Sequence, residues 1–103
     1  MELRKTGSAA AFAQEDFVFS DKTVQGARLG KRGDDLFVCS QRRFKLFSEG
    51  VDEVHFLEGN GHFKWARGET DFAAGDAFRV AQAGEYEVNG KCTFVVLRKK
   101  NEN

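Results

Sequence analysis

The chain has 103 residues, with 16 lysines and arginines against 16 aspartates and glutamates, so it is electrically balanced at neutral pH. That balance argues against a general polyanion binder, which carries a clear basic excess, and the length suits one domain with a real core but not two. Eleven phenylalanines supply most of the aromatic mass, and side chains of that bulk fill the interior of a small β barrel.

In chain order, Glu2 to Thr6 reads as a short edge strand. Residues 8–16 carry two readings: Ser8 capping a helical turn over Ala9 to Phe12, or an extended N-terminal arm that packs Phe12 on the barrel. Phe17 to Phe19 reads as a strand, Ser20 to Lys22 as a turn, and Thr23 to Leu29 as a second strand closed by a loop over Gly30 to Asp35. Leu36 to Cys39 and Phe44 to Phe47 are apolar clusters, read as one long bent strand or as a hairpin.

Val51 to Glu58 is the next predicted strand, with Val54 and Phe56 on one face and His55 and Leu57 on the other. A glycine-centred turn, Gly59-Asn60-Gly61, then leads into His62 to Ala66, where Phe63 and Trp65 share a face. Thr70 to Ala73, Ala77 to Ala81 and Glu85 to Val88 alternate apolar and polar residues between turns at Arg67-Gly68-Glu69, Gly75-Asp76 and Gly84. Thr93 to Leu97 is almost wholly apolar, as a strand covered on both sides would be, and residues 99–103 are a polar tail. The pattern predicts an all-β fold, a double-sheet jelly roll or small barrel with at most one short helical turn near the N-terminus.

The chain has no long apolar run and no secretory leader, which predicts a soluble cytoplasmic protein without membrane contact. Cys39 and Cys92 form neither a CxxC motif nor a disulfide framework, and both are expected as reduced, half-buried thiols.

Phe56-Leu57-Glu58-Gly59-Asn60-Gly61, then Ala74-Gly75-Asp76-Ala77-Phe78, then Ala83-Gly84-Glu85-Tyr86-Glu87-Val88 resemble the second half of a cupin. More narrowly, they are similar to the small C-terminal β barrel of type I mannose-6-phosphate isomerases, where Gly-x-Gly, Gly-Asp and Gly-Glu-Tyr follow in this order. The resemblance spans residues 51–98 and implies a double-stranded β-helix. Metal-binding cupins place two histidines and a glutamate ahead of the first glycine and a third histidine after the second. Aligned on Gly59, the carboxylate slot falls on Asp52, the second histidine slot on Phe47 or Ser48, and the first on Lys45 or Leu46. Counting from Gly75 puts Tyr86 at the third histidine slot. One carboxylate and a phenol are poor ligands for a divalent ion, so no metal or other cofactor is expected at that site. In the isomerases the zinc and the catalytic residues belong to another part of the polypeptide, so no catalytic residue carries over.

His55 and His62 are the only histidines, and both face outward by the parity of their strands, as solvated or interface side chains. The inward candidates for a ligand site are Asp52, Tyr86, Trp65 and Phe63, together with Lys45. An aromatic wall with a carboxylate and a phenol suits a sugar, a sugar phosphate or another polar metabolite. The competing reading is a filled barrel in which Tyr86 merely satisfies Asp52. Arg42-Arg43 with Lys45, and Lys31-Arg32, read as solvated loop charges or as an anion contact. The expectation is therefore a stand-alone small-ligand binding module that binds no nucleic acid and forms a homodimer through Leu57 and His55. The alternatives are a structural interaction protein and a small metal-dependent sugar isomerase or epimerase with an atypical site.

Overall fold

The computed structural model describes residues 1–99, which form ten strands: β1 (Glu2–Ser8), β2 (Val18–Phe19), β3 (Arg28–Arg32), β4 (Asp35–Ser40), β5 (Arg43–Ser48), β6 (Val51–Trp65), β7 (Gly68–Ala73), β8 (Asp76–Ala81), β9 (Gly84–Asn89) and β10 (Cys92–Lys99). The fold is all-β, as the alternation predicts, and one 3-10 turn at Gln14–Asp16 is the helical element among the described residues. No helix there is long and apolar enough to cross a membrane. Lys99 belongs to β10, paired with Val51, and the rest of the predicted polar tail lies outside the described residues.

The strands join edge to edge as β1-β8-β6-β10-β4-β3-β2, and a second layer hangs from the far half of β6. Its first half, Val51 to Gly59, pairs with β8 and β10, while Asn60 to Trp65 pairs with β7 and β9, and β9 carries β5 at its outer edge. The predicted turn at Gly59-Asn60-Gly61 is therefore the point where one 15-residue strand passes from one sheet into the other. Gly59 is needed there for its left-handed backbone, φ +83°, as well as for close approach, and Gly61 for close approach. A Cβ on Gly59 would overlap the Lys91 carbonyl oxygen, and one on Gly61 would overlap that of Asn89. Leu36 to Cys39 and Phe44 to Phe47 are likewise neither one bent strand nor a hairpin. β4 pairs with β3 and β10, β5 pairs with β9, and Gln41-Arg42 carries the chain between layers.

Period-two burial follows in most strands. Phe44, Leu46, Phe63, Tyr86 and Val88 of one layer meet Val38, Val54, Phe56, Phe78, Val80, Phe94 and Val96 of the other in a single core cluster. Each fully buried side chain of this kind contributes about 1.5–3 kcal/mol relative to its exposed state. A second cluster, Phe17, Phe37 and Val95 flanked by Phe12, Phe19, Leu57 and Leu97, lies on the back of the larger sheet. β10 is thus covered on both faces, as its apolar run implies.

That second cover is the N-terminal arm, which settles residues 8–16 in favour of an extended path ending in the 3-10 turn. Ala9 N–H donates to the Gly75 carbonyl at 2.8 Å and Ala10 N–H to His55 Nδ1 at 3.1 Å. Phe12 meets the His55 ring edge-on at 5.2 Å. Burial pushes the His55 pKa down, with Glu53 opposing, which favours the neutral ring that accepts from Ala10. The strand predicted over Thr23 to Leu29 is also divided. Gln25 and Gly26 form a turn at φ +53° and +75°, closed by reciprocal hydrogen bonds between Val24 and Ala27.

Candidate functional site

Three segments converge at one end of the barrel: the β3–β4 turn at Gly33-Asp34, the β5–β6 turn at Glu49-Gly50, and Arg98-Lys99 at the end of β10. They enclose a half-open cleft of about 690 Å³. Asp52 forms part of its wall because β6 alternates: Val54 and Phe56 point into the core, so Asp52, in phase with them, points inward at the barrel mouth. Its residue exposure is only 2%. Tyr86 reaches the same place from β9, in phase with Val88, at 1% exposure.

Tyr86 Oη donates to Asp52 Oδ2 at 2.7 Å. Arg98 Nη2 stands 3.8 Å from the same oxygen, close enough for charge attraction but too far for a hydrogen bond. Arg98 sits there because β10 continues the inward phase of Phe94 and Val96, and its own N–H is anchored to Asp35 Oδ1 at 3.1 Å. Burial, and then the charge of Asp52 and its hydrogen bond, push the Tyr86 pKa far up, while Arg98 pulls weakly the other way. The phenol stays protonated at neutral pH and acts as a donor. Both partners are on Oδ2; among the described residues Oδ1 has no protein donor.

A divalent ion does not fit the residues at the cupin metal slots. Of the alternatives in each histidine slot, β5 turns Leu46 and Ser48 inward; Leu46 has no donor atom, and Ser48 Oγ donates to the Gly50 carbonyl at 3.3 Å. The phenol in the third slot spends its proton on the carboxylate in the fourth. Of the two free thiols, burial pushes the Cys92 pKa up to about 12, which keeps it protonated at neutral pH, and Cys39 packs against the second cluster away from the cleft.

Of the five residues expected at the site, Asp52 and Tyr86 come together. Phe63 is fully buried in the aromatic core, its ring 6.2 Å from that of Tyr86, and does not line the cleft. Trp65 lies at the β6–β7 hairpin, its ring over Gly68, away from the cleft. Lys45 points outward from β5, because Phe44 and Leu46 take the inward phase, so its expected place beside Asp52 is corrected. The reading also missed Phe47 and Arg98. Phe47 breaks the alternation of Arg43 to Ser48 and stands 61% exposed on the cleft wall. Arg98 continues an inward phase past the end of an apolar run. Both signals are present in the sequence.

Tyr86→Phe should cost about 1–3 kcal/mol, the usual penalty for a buried polar group that loses its partner. Urea denaturation at an unchanged m-value checks this. An unchanged midpoint would mean that Arg98 closes onto Oδ2 in place of the phenol.

No family model matches the chain, and no curated protein matches it. Among solved structures it is similar to the mannose 6-phosphate isomerase from Bacillus subtilis, with a TM-score of 0.63 and 18% identity. The match covers 76% of this chain but only 27% of that one. At this identity the likeness establishes the fold, a cupin-like all-β barrel, and nothing about activity.

Proposed function

We propose that this chain is a cupin-like module that binds a small polyhydroxylated ligand, such as a sugar or sugar phosphate, at the barrel mouth and without a metal. The observation carrying this reading is Asp52: a carboxylate buried to 2% exposure that nevertheless lines a cleft, with one oxygen held by Tyr86 and the other without a protein donor. Among the described residues, the fully buried side-chain atom of this cleft that lacks a partner is Arg98 Nε; Asp52 Oδ1 keeps enough access to the cleft to accept from a donor there. A ligand hydroxyl supplies that donor, and the exposed face of Phe47 suits the apolar C–H face of a sugar ring. Because aromatic side chains fill the interior, the ligand sits over the mouth rather than inside the barrel.

The test is calorimetric titration of wild type and Asp52→Asn against a panel of monosaccharides and sugar phosphates. Asparagine can keep the Tyr86 hydrogen bond through its oxygen but presents an NH₂ donor where the ligand needs an acceptor. Affinity should therefore fall by about tenfold or more, the equivalent of about 1.4 kcal/mol. Heat from no member of the panel would overturn the binding reading and leave an interaction protein. A homodimer through His55 and Leu57 would use a face on which Ala10 and Phe12 of the arm already engage His55, while both residues stay half-buried.

A further inference from the structure

A second hollow, of about 680 Å³, opens at the opposite end of β5 and is lined by Gln25, Arg42, Arg43, Lys45 and Asn89. In a chain of zero net charge its lining holds three cations and no carboxylate. Among the described residues none of those cations has an acidic group within ion-pairing distance. The nearest acid in strand register is Glu87, opposite Lys45, and Lys64 lies opposite Glu87 on its other side. Glu69 follows Lys64 in the same row, so its lysines and glutamates balance and the positive excess at the hollow rests on Arg42 and Arg43.

The frame of this hollow is fixed by main-chain ties. Gln25 accepts from Lys45 N–H at 2.7 Å and donates to the Lys45 carbonyl at 2.9 Å, which locks the tip of the Val24–Ala27 turn against the open edge of β5. Gly90 N–H donates to the Arg42 carbonyl at 2.8 Å, which ties the β9–β10 turn to the crossing between layers. Holding like charges close together costs free energy unless an anion compensates, and planar guanidinium groups match the oxygens of a phosphate.

We propose that this hollow is a phosphate-binding site, separate from the Asp52 cleft, which takes a phosphate or diphosphate group. The group belongs to a small molecule or to a lipid headgroup. The geometry assigns Arg42 and Arg43 as its principal donors, with Lys45 contributing charge.

The probe is inorganic pyrophosphate, titrated calorimetrically into wild type and into Arg42→Gln/Arg43→Gln, with phosphatidylglycerol vesicles in a parallel co-sedimentation arm. Both arginines are exposed, so the double variant should unfold at the wild-type temperature. Wild type should bind pyrophosphate saturably and more weakly as salt rises, and the variant should bind at least about tenfold more weakly. Co-sedimentation lost in the same variant would place the phosphate on a lipid headgroup; pyrophosphate binding without it would place the phosphate on a small molecule. Binding that survives in the variant, or no saturable binding in either arm, would overturn the proposal.

Discussion

Phe56→Ala should remove about 3–5 kcal/mol of stability, the usual range for a large aromatic deleted from a packed core. Phe56 has no exposed surface and touches both layers. It stacks on Phe72 with ring centroids 3.7 Å apart and planes 8° from parallel. It meets Phe63 and Phe78 edge-on at 5.5 Å and 6.0 Å, and Phe94 tilted at 5.7 Å. Interlocked rings cannot slide into the space left by their centre, so the cavity should persist and its cost with it. Small domains are stable by only about 5–15 kcal/mol, so this single change should take about a fifth of the total or more. Urea denaturation followed by fluorescence measures it. A loss below about 1 kcal/mol would mean that the two sheets close over the gap.

Gly61→Ala should be comparably severe, at about 3 kcal/mol or more, for a different reason. The added Cβ would overlap the Asn89 carbonyl oxygen and would stand 2.9 Å from the Asn89 carbonyl carbon and 3.0 Å from the Phe72 ring. The oxygen belongs to a backbone held in register by His62↔Asn89, so relief requires parting β6 from β9. Gly75→Ala is the matched comparison. Its turn has φ +93° but nothing within 4 Å of the added carbon. It should lose only the left-handed backbone penalty of about 1–2 kcal/mol. Equal melting temperatures for the two variants would contradict the crowding at Gly61.

Much of the architecture is legible from local pattern. The phases of Val54 and Phe56, of Phe78 and Val80, and of Tyr86 and Val88 all mark the buried face, because side chains of a strand alternate whatever lies beside it. The unbroken apolar run of β10 likewise announced two covered faces before either cover was known.

The Asp52–Tyr86 pair was nameable in advance from inward phase and from the cupin slots, and the hydrogen bond between them was one of the two readings offered, although 34 residues separate them. Strand pairing is what the pattern does not encode. Period two says which face is buried, not which neighbour buries it; Lys45 is a different case, placed at the cleft by the slot alignment against the phase of Phe44 and Leu46 in its own strand. Phe63 and Trp65 share a phase, yet one fills the core and the other caps a hairpin. The largest revision, Gly59 to Gly61, follows the same logic. Locally those glycines permit a reversal, and only backbone arriving from Asn89 to Cys92 makes them the small residues at which one strand bends from one sheet into the other. By itself, the sequence determined the fold class and the buried face of most strands. The tertiary structure alone decided which strands meet, and therefore which charged groups share the cleft and which share the hollow at the other end of β5.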